Sequence, residues 1–136
     1  MMKNNNVRKK DYLILTIFYI AIFCILYFLK EEYFFGWLVH NKTIYIGLFI
    51  ITMIMISIGA RKLAYCTFAG NLIGIILGQF LGNLFQSKNM AKIEPGMSEQ
   101  MRYQLSSGKH VFIWATILIV FIILGLILDS AKNSKN

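Results

Sequence analysis

Acid–base or metal chemistry in this 136-residue chain would have to come from two histidines, six acidic residues and two cysteines. His40, His110, Glu94 and Glu99 stand out, because all four lie between long apolar stretches and fall on the same side of a membrane, together with Glu31 and Glu32. A histidine beside a carboxylate can pass a proton or help to hold a metal. Their spacing matches no zinc motif, so no metal or other cofactor is expected, and His40, His110, Glu94 and Glu99 form only a speculative outer-face site. Cys24 and Cys66 sit at different depths in their stretches, too far apart for the roughly 7 Å limit on a disulfide. Both read as small packing residues.

The richest pattern is structural. Gly70, Gly74, Gly78 and Gly82 recur at every fourth position of AGNLIGIILGQFLGNLF. Four helical residues advance 400°, so the glycines form a stripe on one helix face. Such small-residue stripes let a neighbouring backbone approach closely, and they mark a helix–helix contact. That contact is either with another helix of the same chain or with a second copy. Asn71, Gln79 and Asn83 flank the stripe and need partners in hydrocarbon, where an interhelical bond contributes roughly 0.6–2 kcal/mol. Depth counting pairs Asn71 with Thr52 or Tyr19. The seven residues serve either as helix-packing groups or as the lining of a polar path. The opposite face, with Ile73, Leu77, Phe80 and Leu84, suits lipid.

These residues are positioned by four charge-free stretches, 12–29, 43–60, 63–85 and 111–128, each 18 to 23 residues long. At about 1.5 Å per residue, each can cross a hydrocarbon core about 30 Å thick with help from its flanks. The apolar runs are unbroken, which excludes the alternation of a membrane β-barrel. Composition agrees: 57% of residues are apolar and 15% charged, against about 25% charged in soluble domains. The expected fold is an all-α membrane protein, a four-transmembrane-helix bundle forming a single integral-membrane domain over residues 1–136. The first apolar run is too long for a signal peptide and ends without a small-residue cleavage site, so it reads as an uncleaved helix.

The net charge of +8 does not indicate nucleic acid, because the basic residues cluster at helix ends with no basic–aromatic stripe. It suits anionic headgroups of the lipid bilayer. The side holding the termini carries Lys3, Arg8, Lys9, Lys10, Arg61, Lys62, Lys132 and Lys135, against six basic residues on the other side. The first helix has four basic residues before it and one after, which predicts both termini in the cytoplasm of a cell-membrane protein. Tyr33, Phe34, Phe35, Trp37 and Trp114 read as an aromatic belt at the outer interface. In the outer loop, 86–110, Pro95-Gly96 marks a turn and Ser98 caps a short amphipathic helix running to Leu105. The frequent Ile, Lys and Asn point to a bacterial source.

Function follows by exclusion. Proton-coupled carriers and pumps use intramembrane carboxylates, histidines or lysines, and none of the four stretches has one. The leading expectation is a non-enzymatic accessory, regulatory or immunity-type protein acting through helix contacts, as a homo-oligomer or with a larger membrane-protein partner. The alternatives are a small pore, holin-like protein or carrier for a neutral solute, and a membrane enzyme using the outer-face His and Glu residues.

Overall fold

The computed structural model describes residues 2–133 and the side chains of 8–131. The side chains of Lys3 and Lys132 and all of Lys135, which enter the charge balance, lie outside the described residues. The described residues form helices only: α1 (Met2–Phe28), α2 (Tyr33–His40), α3 (Lys42–Ser57), α4 (Arg61–Met90), α5 (Glu99–Ser106) and α6 (His110–Asn133). α1, α4 and α6 are each long and apolar enough to cross a membrane, and α2 with α3 makes a fourth candidate span bent by 73°.

That bend corrects the expected second span. α3 has 16 residues, about 24 Å of rise, short of a hydrocarbon core of about 30 Å. It stops at Ser57, not Ala60, because Gly59 adopts φ 89°. The Ala60 amide then donates to Met55 O (2.9 Å) and the Gly59 amide to Ile56 O (3.0 Å), a Schellman closure that satisfies two terminal carbonyls. α2 folds against the bundle just ahead of α3. Its Phe34 and Leu38 are fully buried, and Trp114 of α6 is only 6% exposed. Phe34 and Trp114 are therefore core residues and not members of an interfacial belt, whereas Tyr33 remains exposed.

α1, α3 and α6 each bury one stripe and leave the rest to lipid. On α1 the buried residues are Asp11, Leu15, Tyr19, Ile22 and Leu26, at spacings of three and four. Between them Leu13, Ile17, Phe18 and Ile25 are exposed. α4 is the hub, with buried residues on two adjoining faces running from Leu63 to Gly82. Its lipid-facing side carries Ile73, Leu77, Phe80 and Leu84, all exposed. Lipid tails are as apolar as leucine, so packing and hydrogen bonds between helices hold such a bundle together.

The N-terminal half of α1, the α3–α4 turn and the C-terminal end of α6 meet at one end of the bundle. There Asp11 is 3% exposed, and its Oδ1 accepts from Arg61 Nη2 (2.8 Å) and Tyr65 OH (2.9 Å). The ion pair is completed by Arg61 Nε against Asp11 Oδ2. α4 and α6 are also tied together here. Asp129 Oδ2 accepts from the Leu63 amide (3.0 Å), and Lys62 Nζ donates to Leu128 O (3.3 Å). A carboxylate thus meets the N-terminus of α4, as the helix dipole favours.

At the other end α4 runs on to Met90, five residues past the expected limit, before the connection to α5 begins. α5 starts behind Ser98, whose Oγ accepts from the Met101 amide (3.3 Å), and the preceding turn places Gly96 at φ 108°.

Candidate functional site

The glycine stripe of α4 faces α6, and these two helices make the most extensive contact in the molecule. A Cβ on Gly70 would lie 2.5 Å from Phe121 Cβ and 3.5 Å from Leu118 Cα. One turn along, a Cβ on Gly74 would lie 2.9 Å from Trp114 Cδ1 and 3.1 Å from Trp114 O. On Gly78 it would meet Phe34 Cε1 at 2.9 Å and His110 O at 3.1 Å, and on Gly82 it would strike the His110 ring. The register is antiparallel, with each notch of the stripe filled by a large side chain. Gly125 of α6 reciprocates, since a Cβ there would lie 2.8 Å from Leu63 Cα and 3.0 Å from Cys66 Cβ.

The amides beside the stripe fasten α6 and α2 to α4. Asn71, fully buried, accepts from Trp114 Nε1 at 3.0 Å. It bonds neither Thr52 nor Tyr19, the partners that depth counting suggested. Those two bond each other at 2.9 Å, and the Thr52 hydroxyl is also satisfied by Leu48 O at 2.8 Å, which leaves it no spare donor. Gln79 accepts from the Phe34 amide (3.0 Å) and donates to Glu32 Oε2 (2.8 Å), and so holds the N-terminus of α2. Asn83 Oδ1 bonds His110 Nε2 at 2.9 Å. One turn on, Gln86 donates to Ser106 O at 2.9 Å and ties down the end of α5.

His110 is fully buried at the start of α6, between the Tyr33 ring (centroid distance 4.9 Å) and the Phe34 ring (6.1 Å). Its Nδ1 and the Asn71 Nδ2 have no hydrogen-bond partner among the described residues. Near the Nδ1 lies Gly108, where a Cβ would collide with the ring.

The other residues of the speculative outer-face site lie apart from His110. His40 is exposed and shares a hollow with Lys30, Glu31 and Lys42, while Glu94 and Glu99 are exposed in the loop. No hydrogen bond or ion pair joins the four, and among the described residues no group of three or more His, Cys, Asp or Glu could hold a metal ion. Cys24 is exposed and Cys66 half-buried, both free thiols.

Two constellations escaped sequence reasoning. The Asp11–Arg61–Tyr65 cluster joins residues 50 and 54 positions apart. The only available signal was that two opposite charges flank spans at the same end. The pairing of Gln79 with Glu32 and Phe34 had no signal beyond an amide that needed a partner. No protein-family model, curated protein or solved structure matches this chain.

Proposed function

We propose that this chain is a non-enzymatic membrane partner, an accessory, regulatory or immunity-type protein that acts through helix contacts with a larger membrane protein. The observation that carries this reading is how its intramembrane polar groups are used. Tyr19, Thr52, Asn71 and Gln79 each hydrogen-bond within the chain, across helices. They hold a frame together and do not converge on a cavity where a substrate could react.

A pore or neutral-solute carrier would need the glycine face as its lining, and Phe121, Trp114 and His110 occupy that face. We therefore read the stripe as an internal glycine zipper, with Gly70, Gly74, Gly78, Gly82, Asn71, Gln79 and Asn83 as packing residues. The aliphatic outer faces of α1, α3 and α6 are left for lipid or for a partner's helices. With four basic residues ahead of its first span, the chain has both termini in the cytoplasm.

Affinity purification in mild detergent, read by mass spectrometry, tests the function. The expected result is a larger membrane protein in fixed ratio with this chain. Recovery of the chain alone, together with solute flux through liposomes containing it, would replace this reading with the pore. A reporter fused after Asn136 that is active only outside the cell would reverse the orientation.

A further inference from the structure

α1 and α3 pack less closely than α4 and α6, because aromatic rings stand between them. Tyr19 lies 5.6 Å from Tyr45 and 5.3 Å from Phe49, centroid to centroid. Both tyrosine hydroxyls are used inside the bundle, Tyr19 with Thr52 (2.9 Å) and Tyr45 donating to Tyr19 O (3.0 Å). What remains on the lipid side of the rings is an apolar groove of about 370 Å³, lined on α1 by Thr16, Ile20 and Cys24 and on α3 by Tyr45 and Phe49. That volume falls in the range of about 300–1,000 Å³ typical of small-ligand sites.

The groove has a length and a charged end. From Thr16 to Cys24 it follows α1 for about 12 Å, close to the depth of one leaflet of a hydrocarbon core about 30 Å thick. Lys42, the first residue of α3, stands at its mouth. Lys42 also lines the second hollow, about 540 Å³, with Lys30, Glu31 and His40. Lys30 Nζ sits 4.8 Å over the Tyr27 ring, which holds the ammonium at the helix end. Two lysines against one glutamate leave this hollow a formal charge of +1 with His40 neutral, the complement of a single phosphodiester.

We propose that the α1–α3 groove binds one anionic phospholipid, its acyl chain lying along Ile20, Cys24 and Phe49 and its phosphate between Lys42 and Lys30. This site lies on the α1 and α3 faces that the partner reading leaves to lipid or a partner's helices, but its test reads lipid bound to the isolated chain and so stands or falls without a partner. It gives the protein a resident lipid that wedges α1 against α3 and senses the charge of its leaflet.

Native mass spectrometry of the full chain, delipidated in mild detergent and given equal amounts of phosphatidylglycerol and phosphatidylcholine with matched acyl chains, tests it. One phosphatidylglycerol should be retained with about tenfold preference. Lys30→Gln with Lys42→Gln should bring the ratio close to one, while Cys24→Trp, which fills the groove, should cut retention of both lipids several-fold. Ile20→Trp, at an exposed position on the same wall, replaces it should Cys24→Trp lower the melting temperature. Equal retention of the two lipids by the native chain overturns the proposal. So does a preference that survives the lysine double variant, retention unaffected by the tryptophan, or displacement of the lipid by glycerol phosphate, which would indicate a headgroup site without an acyl chain.

Discussion

A methyl group on Gly74 tests the α4–α6 seam where it would meet the backbone of α6. The new Cβ would lie 2.9 Å from Trp114 Cδ1, 3.1 Å from its carbonyl oxygen and 3.5 Å from its Cα. Two of these three atoms are backbone, so no side-chain rotation relieves the contact and the helices must part by a few tenths of an ångström. Overpacking of this kind costs about 1–3 kcal/mol. Parting also stretches the Trp114–Asn71 bond of 3.0 Å, the class of interhelical bond that averages about 0.6 kcal/mol. Alanine recovers about 0.5–1 kcal/mol of helix propensity over glycine. Gly74→Ala should therefore lose about 1–3 kcal/mol in all. Gly47 of α3 is the matched control, since a Cβ there would meet no heavy atom within 4 Å. Gly47→Ala should be neutral or stabilising by up to about 1 kcal/mol. The assay is reversible unfolding in mixed micelles by SDS titration, read by tryptophan fluorescence. A Gly74→Ala protein as stable as Gly47→Ala would refute the packing argument.

Two further outcomes follow from the polar ties. Arg61→Gln should cost about 1–3 kcal/mol, because it strands the Asp11 carboxylate at 3% exposure with only Tyr65 as partner; adding Asp11→Asn should recover much of the loss, and strictly additive costs in the double-mutant cycle would refute the pairing. Gln79→Leu should leave the Phe34 amide without its acceptor, so hydrogen exchange at Phe34 should speed up while exchange at the α4–α6 seam holds; unchanged protection at Phe34 would count against the tie.

The spans were legible because hydrocarbon tolerates no unpaired charge, and a run such as Val111–Leu128 has no other use in a short chain. The glycine face was legible for a similar reason, as only a close neighbour explains four glycines at one spacing. Its partner was not. A stripe shows that something packs there but not what, and Trp114, which fills the notch at Gly74, carries the same residue type as an interfacial anchor. The same ambiguity hid α2. Tyr33–His40 is as apolar as a span and as aromatic as a belt, and what folds it inward is Gln79, 45 positions away from Phe34. Gly36 assists, because its lack of a Cβ lets the helix press against Lys30 O. Asp11 looked like a span boundary until Arg61 and Tyr65 closed on it from a different helix.

The central claim is that α6 closes the glycine face of α4 within one chain. Gly125 and Cys66 offer a direct measurement, since a Cβ at Gly125 would lie 3.0 Å from Cys66 Cβ. An opening of under about 1 Å reaches the roughly 3.5–4.5 Å of a disulfide. Gly125→Cys in a Cys24→Ser background leaves Cys66 as its only possible partner within the chain. Under mild oxidation in membranes the account expects a disulfide that leaves the chain at monomer mass and is reversed by reductant. A disulfide-linked dimer, or two thiols that stay free to alkylation after oxidation, would contradict it.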